Sequence, residues 1–209
     1  MLTLYAHPLS SYCWKALIAL YENATPFEVH MLASAEDWAQ YRTIWPVGKM
    51  PVLRDSDRNT LIPEASILIE YLDQHYRGAT RFIPDQAEAA RDVRLKDRLY
   101  DLYVQGPMQR ITSEILSPER SETAIAQAKD NLRIAYGVLE QQFEGPYAAG
   151  SAFTLADCAA APALYYGDTR ASVADFPKLS AYLERLKQRP SFARVLKEAA
   201  PYLHMVPQE

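Results

Sequence analysis

The chain has 209 residues, long for one domain and short for two full ones, and its 49% hydrophobic and 23% charged residues exclude a disordered chain. No apolar run approaches the roughly 20 residues that cross a bilayer, so no membrane association is expected. A net charge of −4 without a basic block argues against a nucleic-acid partner. Cys13 and Cys158 stand too far apart for a disulfide framework or for metal-ligand spacing. The start, MLTLYAHPLS, has no basic and apolar export signal, and a reducing cytoplasm is the expected location.

In chain order, residues 2–6 (LTLYA) read as a strand, 11–23 as a helix and 27–31 (FEVHM) as a second, alternating strand. EDWAQYRTI reads as a short helix. After Trp45-Pro46-Val47-Gly48-Lys49-Met50-Pro51, the runs VLRD and TLIP flank Ser56-Asp57-Arg58-Asn59 as a hairpin. Glu64 to Tyr76 is helical, with Ile67, Leu68, Tyr71 and Leu72 on one side. Periodicity stops from Arg77 to Ala87, around Gly78 and Pro84, as in a linker. Beyond it only helices are expected, at 88–116, 119–143, 154–166, 177–187 and 191–199, punctuated by Ser117-Pro118, Gly145-Pro146 and Phe176-Pro177. The predicted architecture is an α/β domain (βαβαββα) over 1–77, a linker at 78–87 and an all-α domain over 88–209. Inside the first long helix, Gly106-Pro107 removes the amide partner of the Tyr103 carbonyl and predicts a kink.

Two short stretches have both a structural and a chemical reading. Ser10-Ser11-Tyr12-Cys13 opens a helix whose Trp14, Leu17, Ile18 and Tyr21 recur at helical spacing. Either serine serves as an N-cap, and the same helix start stabilises an anion placed before it. Thr154-Leu155-Ala156-Asp157 reads as a reciprocal capping box, with Phe153 and Cys158 as its staple, and the role expected of Asp157 is structural.

The chain resembles the cytosolic glutathione S-transferases, bacterial members with a serine-type turn among them, through four matches in order. SSYC resembles the family's serine-type active-site turn, and also a glutaredoxin CPYC whose first cysteine has become serine. Gly48-Lys49-Met50-Pro51-Val52-Leu53 is similar to GKxPxL, whose proline is cis. PEASILIEYL resembles the glutathione-binding E-S-x-x-I-x-x-Y-L, and FTLADCAAAPAL resembles the S/T-x-x-D capping box. The implied fold is a thioredoxin-like domain joined to an all-helical one.

The resemblance implies that Ser10 activates the glutathione thiol, with Ser11 as second choice. Lowering a thiol pKa by about two units takes roughly 2.7 kcal/mol, and one charge-assisted hydrogen bond supplies about 1.5–3. Cys13 is either a small buried residue or the source of mixed-disulfide chemistry, and Tyr5 is either a packed strand residue or a thiol holder. Met50, before a cis Pro51, would bind the cysteinyl backbone, Lys49 the glycyl carboxylate and Glu64 the γ-glutamyl ammonium. The family serine that binds the γ-glutamyl carboxylate is here Ala65, with Ser66 adjacent. An electrophile wall of Tyr100, Tyr103, Val104, Met108, Tyr165 and Tyr166 is expected between the domains. The implied activity is detoxifying conjugation of glutathione to a small, apolar electrophile by a homodimer, with the helices beginning at Glu64 and near Glu88 across the interface. SSYCW also resembles the zeta-type SSCSW turn of a glutathione-dependent maleylacetoacetate-type isomerase. Ala65 favours a third possibility, a non-catalytic protein of this fold that binds ligands or proteins.

Overall fold

The computed structural model describes residues 1–208. Strands β1 (Leu2–Ala6), β2 (Glu28–Met31), β3 (Val52–Asp55) and β4 (Thr60–Pro63) form one sheet in the order β2-β1-β3-β4. β1 runs parallel to β2 and antiparallel to β3, with Leu4 opposite both Val29 and Leu53. The parallel pair needs a crossover, and α1 (Ser11–Glu22) supplies it. β3 and β4 form the expected hairpin, and Asn59 takes the left-handed conformation that asparagine tolerates in turns. α2 (Ala35–Ile44) starts at a Ser34/Asp37 capping box, and α3 (Ala65–His75) closes the unit. This mixed sheet with its helices is the thioredoxin-like arrangement.

The remaining elements are helical: α4 (Ala87–Leu99), a π-helical turn (Tyr100–Gln105), α5 (Gly106–Leu116), α6 (Glu122–Gln142), α7 (Leu155–Asp168), α8 (Pro177–Gln188), α9 (Pro190–Ala199) and a 3₁₀ turn (Ala200–Met205). α6 begins later than 119 because the Ser121 hydroxyl caps it, accepting from the Ala124 amide at 3.2 Å. The interruption at Gly106-Pro107 takes the form of the π turn. The Gly106 amide donates to the Asp101 carbonyl, five residues back, and the chain stays helical through the proline.

α1 packs against α7, α9 and α3 and is buried from Cys13 to Leu20. α7 is buried nearly all round, as a helix at the centre of the core must be, and its Ala159, Ala160 and Ala161 admit close neighbours. The stretch between α3 and α4 is non-helical yet firmly tied. Phe82 is fully buried, its amide donates to Asp73 at 2.9 Å and its carbonyl accepts from Leu155 at 3.1 Å. At the head of α7 the Asp157 carboxylate, also fully buried, accepts from the Thr154 amide (2.8 Å) and hydroxyl (3.1 Å), the Ala148 amide (2.8 Å) and the Tyr182 hydroxyl. Asp157 thus ties α7 to α8 and to the preceding loop, beyond closing its own capping box.

Candidate functional site

The loop from β1 to α1 is held from both sides. The His7 carbonyl accepts from the Ser10 amide at 3.1 Å, and His7 Nδ1 accepts from the Leu9 amide at 3.2 Å. Trp14 Nε1 donates to the Pro8 carbonyl at 2.6 Å, and the Tyr166 hydroxyl, from α7, donates to the Leu9 carbonyl at 3.0 Å. These bonds fix Ser10 as the N-cap of α1, where its Oγ accepts from the Cys13 amide at 3.3 Å. The hydroxyl proton is then still available to an acceptor in front of the helix. Ser11 is buried in the first turn, facing the protein. Cys13 is wholly buried; burial pushes its thiol up to about 11, against a lesser opposing pull from the Ser10 hydroxyl. Cys13 is thus held as the thiol at neutral pH and behaves as a small apolar residue. Tyr5 packs against the rings of His30 and Tyr41.

A cleft of about 440 Å³ opens beside Ser10, lined by Lys49, Met50 and Pro51 from the turn before β3, by Glu64 and Ala65 from the start of α3, and by Arg98 and Asp101. The Met50-Pro51 bond is cis, and Met50 makes no backbone hydrogen bond. The turn is fixed by the Tyr41 hydroxyl, which donates to the Lys49 carbonyl. Glu64 has φ +66°, a region that costs an L residue about 1–3 kcal/mol and that concentrates at binding positions. Its side chain does not cap α3, so the first-turn amides of that helix have no side-chain acceptor. Tyr12 also lines the cleft, and burial, with Asp101 adding to it, pushes its phenol up to about 12. It stands there as a neutral hydroxyl.

Behind the cleft lies an ion cluster that joins the sheet-bearing half to the helical half. Lys15 on α1 is fully buried and spends all three donors, on Asp97, on Asp101 (2.8 Å) and on the Ser66 hydroxyl (2.8 Å). Burial raises the Asp101 carboxyl, with Lys15 pulling against the rise and Asp97 adding to it. Ser66 lies outside the cleft lining. Its hydroxyl accepts from Lys15 and Arg98 and donates to Asp97 at 2.9 Å, which uses its whole capacity. Ser66 thus sits in the interface between the two halves. Arg98, which sequence reasoning missed, stands at the mouth of the cleft instead.

The six residues expected as one apolar wall are dispersed. Tyr100 and Val104 are core residues, and Met108 is nearly so. Tyr103 is exposed on a separate groove between α6 and the end of α4. Tyr165 and Tyr166 flank a cavity of about 170 Å³ beneath the C-terminal segment, and Tyr166 spends its hydroxyl on the turn before Ser10. The π turn packs against α7, with Tyr100 and Val104 buried, while Leu102 and Gln109 line the cleft. Among the described residues no cluster is suited to a metal ion, and no helix is long and apolar enough to cross a membrane.

Comparison with known proteins bears on what such a cleft does. The model for the glutathione S-transferase N-terminal domain matches residues 4–80, and that for the C-terminal domain matches residues 99–190. The chain is 29% identical to a glutathione S-transferase of Pseudomonas putida, over 96% of this chain and 94% of that one. It is 28% identical to a stringent starvation protein A homolog of Haemophilus influenzae, over 96% and 92%. Among solved structures, a glutathione S-transferase of Methylobacillus flagellatus with glutathione bound superposes with a TM-score of 0.83 at 23% identity, covering 93% of this chain and 98% of that one.

Proposed function

The chain belongs to the glutathione S-transferase family, and from that premise we propose that it binds glutathione in the cleft beside Ser10 and activates its thiol for attack on a small electrophile. One observation carries the reading. Ser10, the unpaired backbone of Met50 and the carboxylate of Glu64 come from three separated stretches and line one cleft. A tripeptide lying along it would pair its cysteinyl backbone with Met50 as an added strand. Its glycyl carboxylate would face Lys49, its ammonium Glu64, and its thiol the Ser10 hydroxyl. The sheet-bearing half, 1–77, then holds glutathione, and the helices after 88 close the far side through Leu102 and Gln109.

A second reading, a glutathione-fold protein without catalysis, is favoured by the likeness to the stringent starvation protein A homolog and by Ala65, which lacks a hydroxyl. Retention on glutathione-agarose followed by turnover of an aryl halide and of a panel of electrophiles, a maleyl compound included, separates the two. Transferase action predicts retention and turnover. Absence of retention, or retention with no turnover across the panel, defeats the first reading and supports the second.

The same reading includes a homodimer. Ile67 on α3 and Leu95 on α4, the two helices expected across the interface, are more than half exposed, at 55% and 53%. Sedimentation at micromolar concentration is expected to show a dimer, and monomer alone would defeat the assembly.

A further inference from the structure

We propose that Arg98 holds the γ-glutamyl α-carboxylate of glutathione, a binding residue supplied by the helical half in place of the hydroxyl that Ala65 lacks. The proposal rests on reading the cleft as a glutathione site. At the γ-glutamyl end of the tripeptide the carboxylate and the ammonium share one carbon. Whatever cation receives the carboxylate must therefore stand close to whatever anion receives the ammonium.

The cleft offers two bases, Lys49 and Arg98. Lys49 belongs to the turn before β3, where the reading above gives it the glycyl carboxylate. Arg98 is hydrogen-bonded to Ser66, two residues beyond Glu64, and so lies at the first turn of α3.

The state of the guanidinium fits the role. Nε donates to Asp97 at 3.0 Å, and the two N–H groups of Nη2 are shared among Asp97 and Asp101, both at 2.6 Å, and the Ser66 hydroxyl. Nη1 makes no hydrogen bond to the described residues, which leaves its two N–H donors to a ligand, on a side chain that lines the cleft and is about half exposed. The side chain is thus already ordered, and a ligand does not bear the cost of ordering it. The two carboxylates that hold it are balanced by Lys15 as well as by Arg98, so the cluster does not present a net negative charge to an incoming anion. Lysine at this position would keep the charge and lose the planar fork that matches a carboxylate.

The test is a binding cycle on the full chain by calorimetry, with glutathione, with 4-aminobutanoyl-cysteinyl-glycine, which lacks only the α-carboxylate in question, and with γ-glutamylcysteine, which lacks the glycyl one. Wild type is expected to bind the first analogue about ten- to a hundredfold more weakly than glutathione. Arg98→Gln is expected to bind glutathione that much more weakly than wild type does, yet to bind glutathione and the first analogue within about twofold of each other. Both proteins are expected to lose affinity alike for γ-glutamylcysteine. Losses from Arg98→Gln and from the missing α-carboxylate that simply multiply would overturn the assignment, because a residue acting only on the fold does not couple to one ligand group. If Arg98→Gln fails to fold, Arg98→Lys runs the same cycle, and a full wild-type discrimination between the two ligands in it refutes the proposal. Wild type that binds glutathione while Arg98→Gln binds it equally well removes Arg98 and leaves the glutathione site standing. Wild type that does not bind glutathione removes both.

Discussion

Replacing Ser10 by alanine is expected to raise the pKa of bound glutathione by about one to two units, the equivalent of the roughly 1.5–3 kcal/mol of a charge-assisted hydrogen bond. Taking the bound thiol of wild type near ~6.5, about two units below a free thiol, turnover at pH 6.5 follows the thiolate fraction and falls about five- to fiftyfold. The direction is fixed by the charge. The hydroxyl stabilises only the anion, so its loss shifts the pH–rate profile up, and activity returns as the pH rises toward the new pKa. Affinity is expected to change little, because Met50, Lys49 and Glu64 hold other parts of the tripeptide. The measurement is ultraviolet thiolate absorbance of the complex against pH, for Ser10→Ala beside Ser11→Ala and Cys13→Ala. Ser11 is buried and Cys13 is held as a thiol, so neither of these should move the profile. A shift confined to Ser11→Ala would transfer the role by one residue, and loss of activity in Cys13→Ala alone would replace it with cysteine chemistry.

Asp157→Ala is expected to be the costliest substitution for the fold, at about 3–5 kcal/mol, because it strands four buried donors rather than the one of a simple cap. In a chain of this length that lowers the melting temperature by roughly 10 °C. Burial raises the Asp157 carboxyl above its ordinary value, the hydrogen bonds opposing this only in part. A raised folded-state pKa adds stability that is complete below the unfolded value, near ~3.9, and is lost as the pH rises through the folded one. The gap between wild type and Asp157→Ala should therefore be wider at pH 4 than at pH 7 in calorimetric melts. Unchanged melting together with lost glutathione affinity would move Asp157 into the binding site.

What was legible in the chain was what local order specifies. The alternation of LTLYA, the turn Ser56 to Asn59 and the helical spacing of Ile67 to Leu72 each predict their element within a residue or two. The family resemblance carried by GKMP and PEAS implies binding roles for Lys49, Met50, Pro51, Glu64 and Ala65, and these five residues line one cleft. The failures lie where partners are remote. Nothing local marks Lys15 as buried on its apolar helix; its pairing with Asp97, 82 residues on, and with Asp101 explains its burial. That pairing also draws Ser66 and Arg98 together, which no local pattern encodes. The one available signal was the spacing of Asp97, Arg98 and Asp101, which places two acids and a base on one helical face opposite a buried lysine. The dispersed tyrosines failed for a related reason, since they come from two helices and only the packing of α7 on the π turn, a contact between remote segments, decides which of them are buried.

The cluster around Lys15 has a consequence for how such a chain can diverge. Lys15 is in the first half and its two aspartates are in the second, and farther along the same helix Glu22 pairs with Arg189. A recombinant that took one half from this chain and the other from a relative lacking these partners would inherit unmatched ions at the seam. The two halves are therefore not interchangeable cassettes. Drift in one restricts what the other accepts, and a swap can succeed only if the charges on both sides of the join travel together.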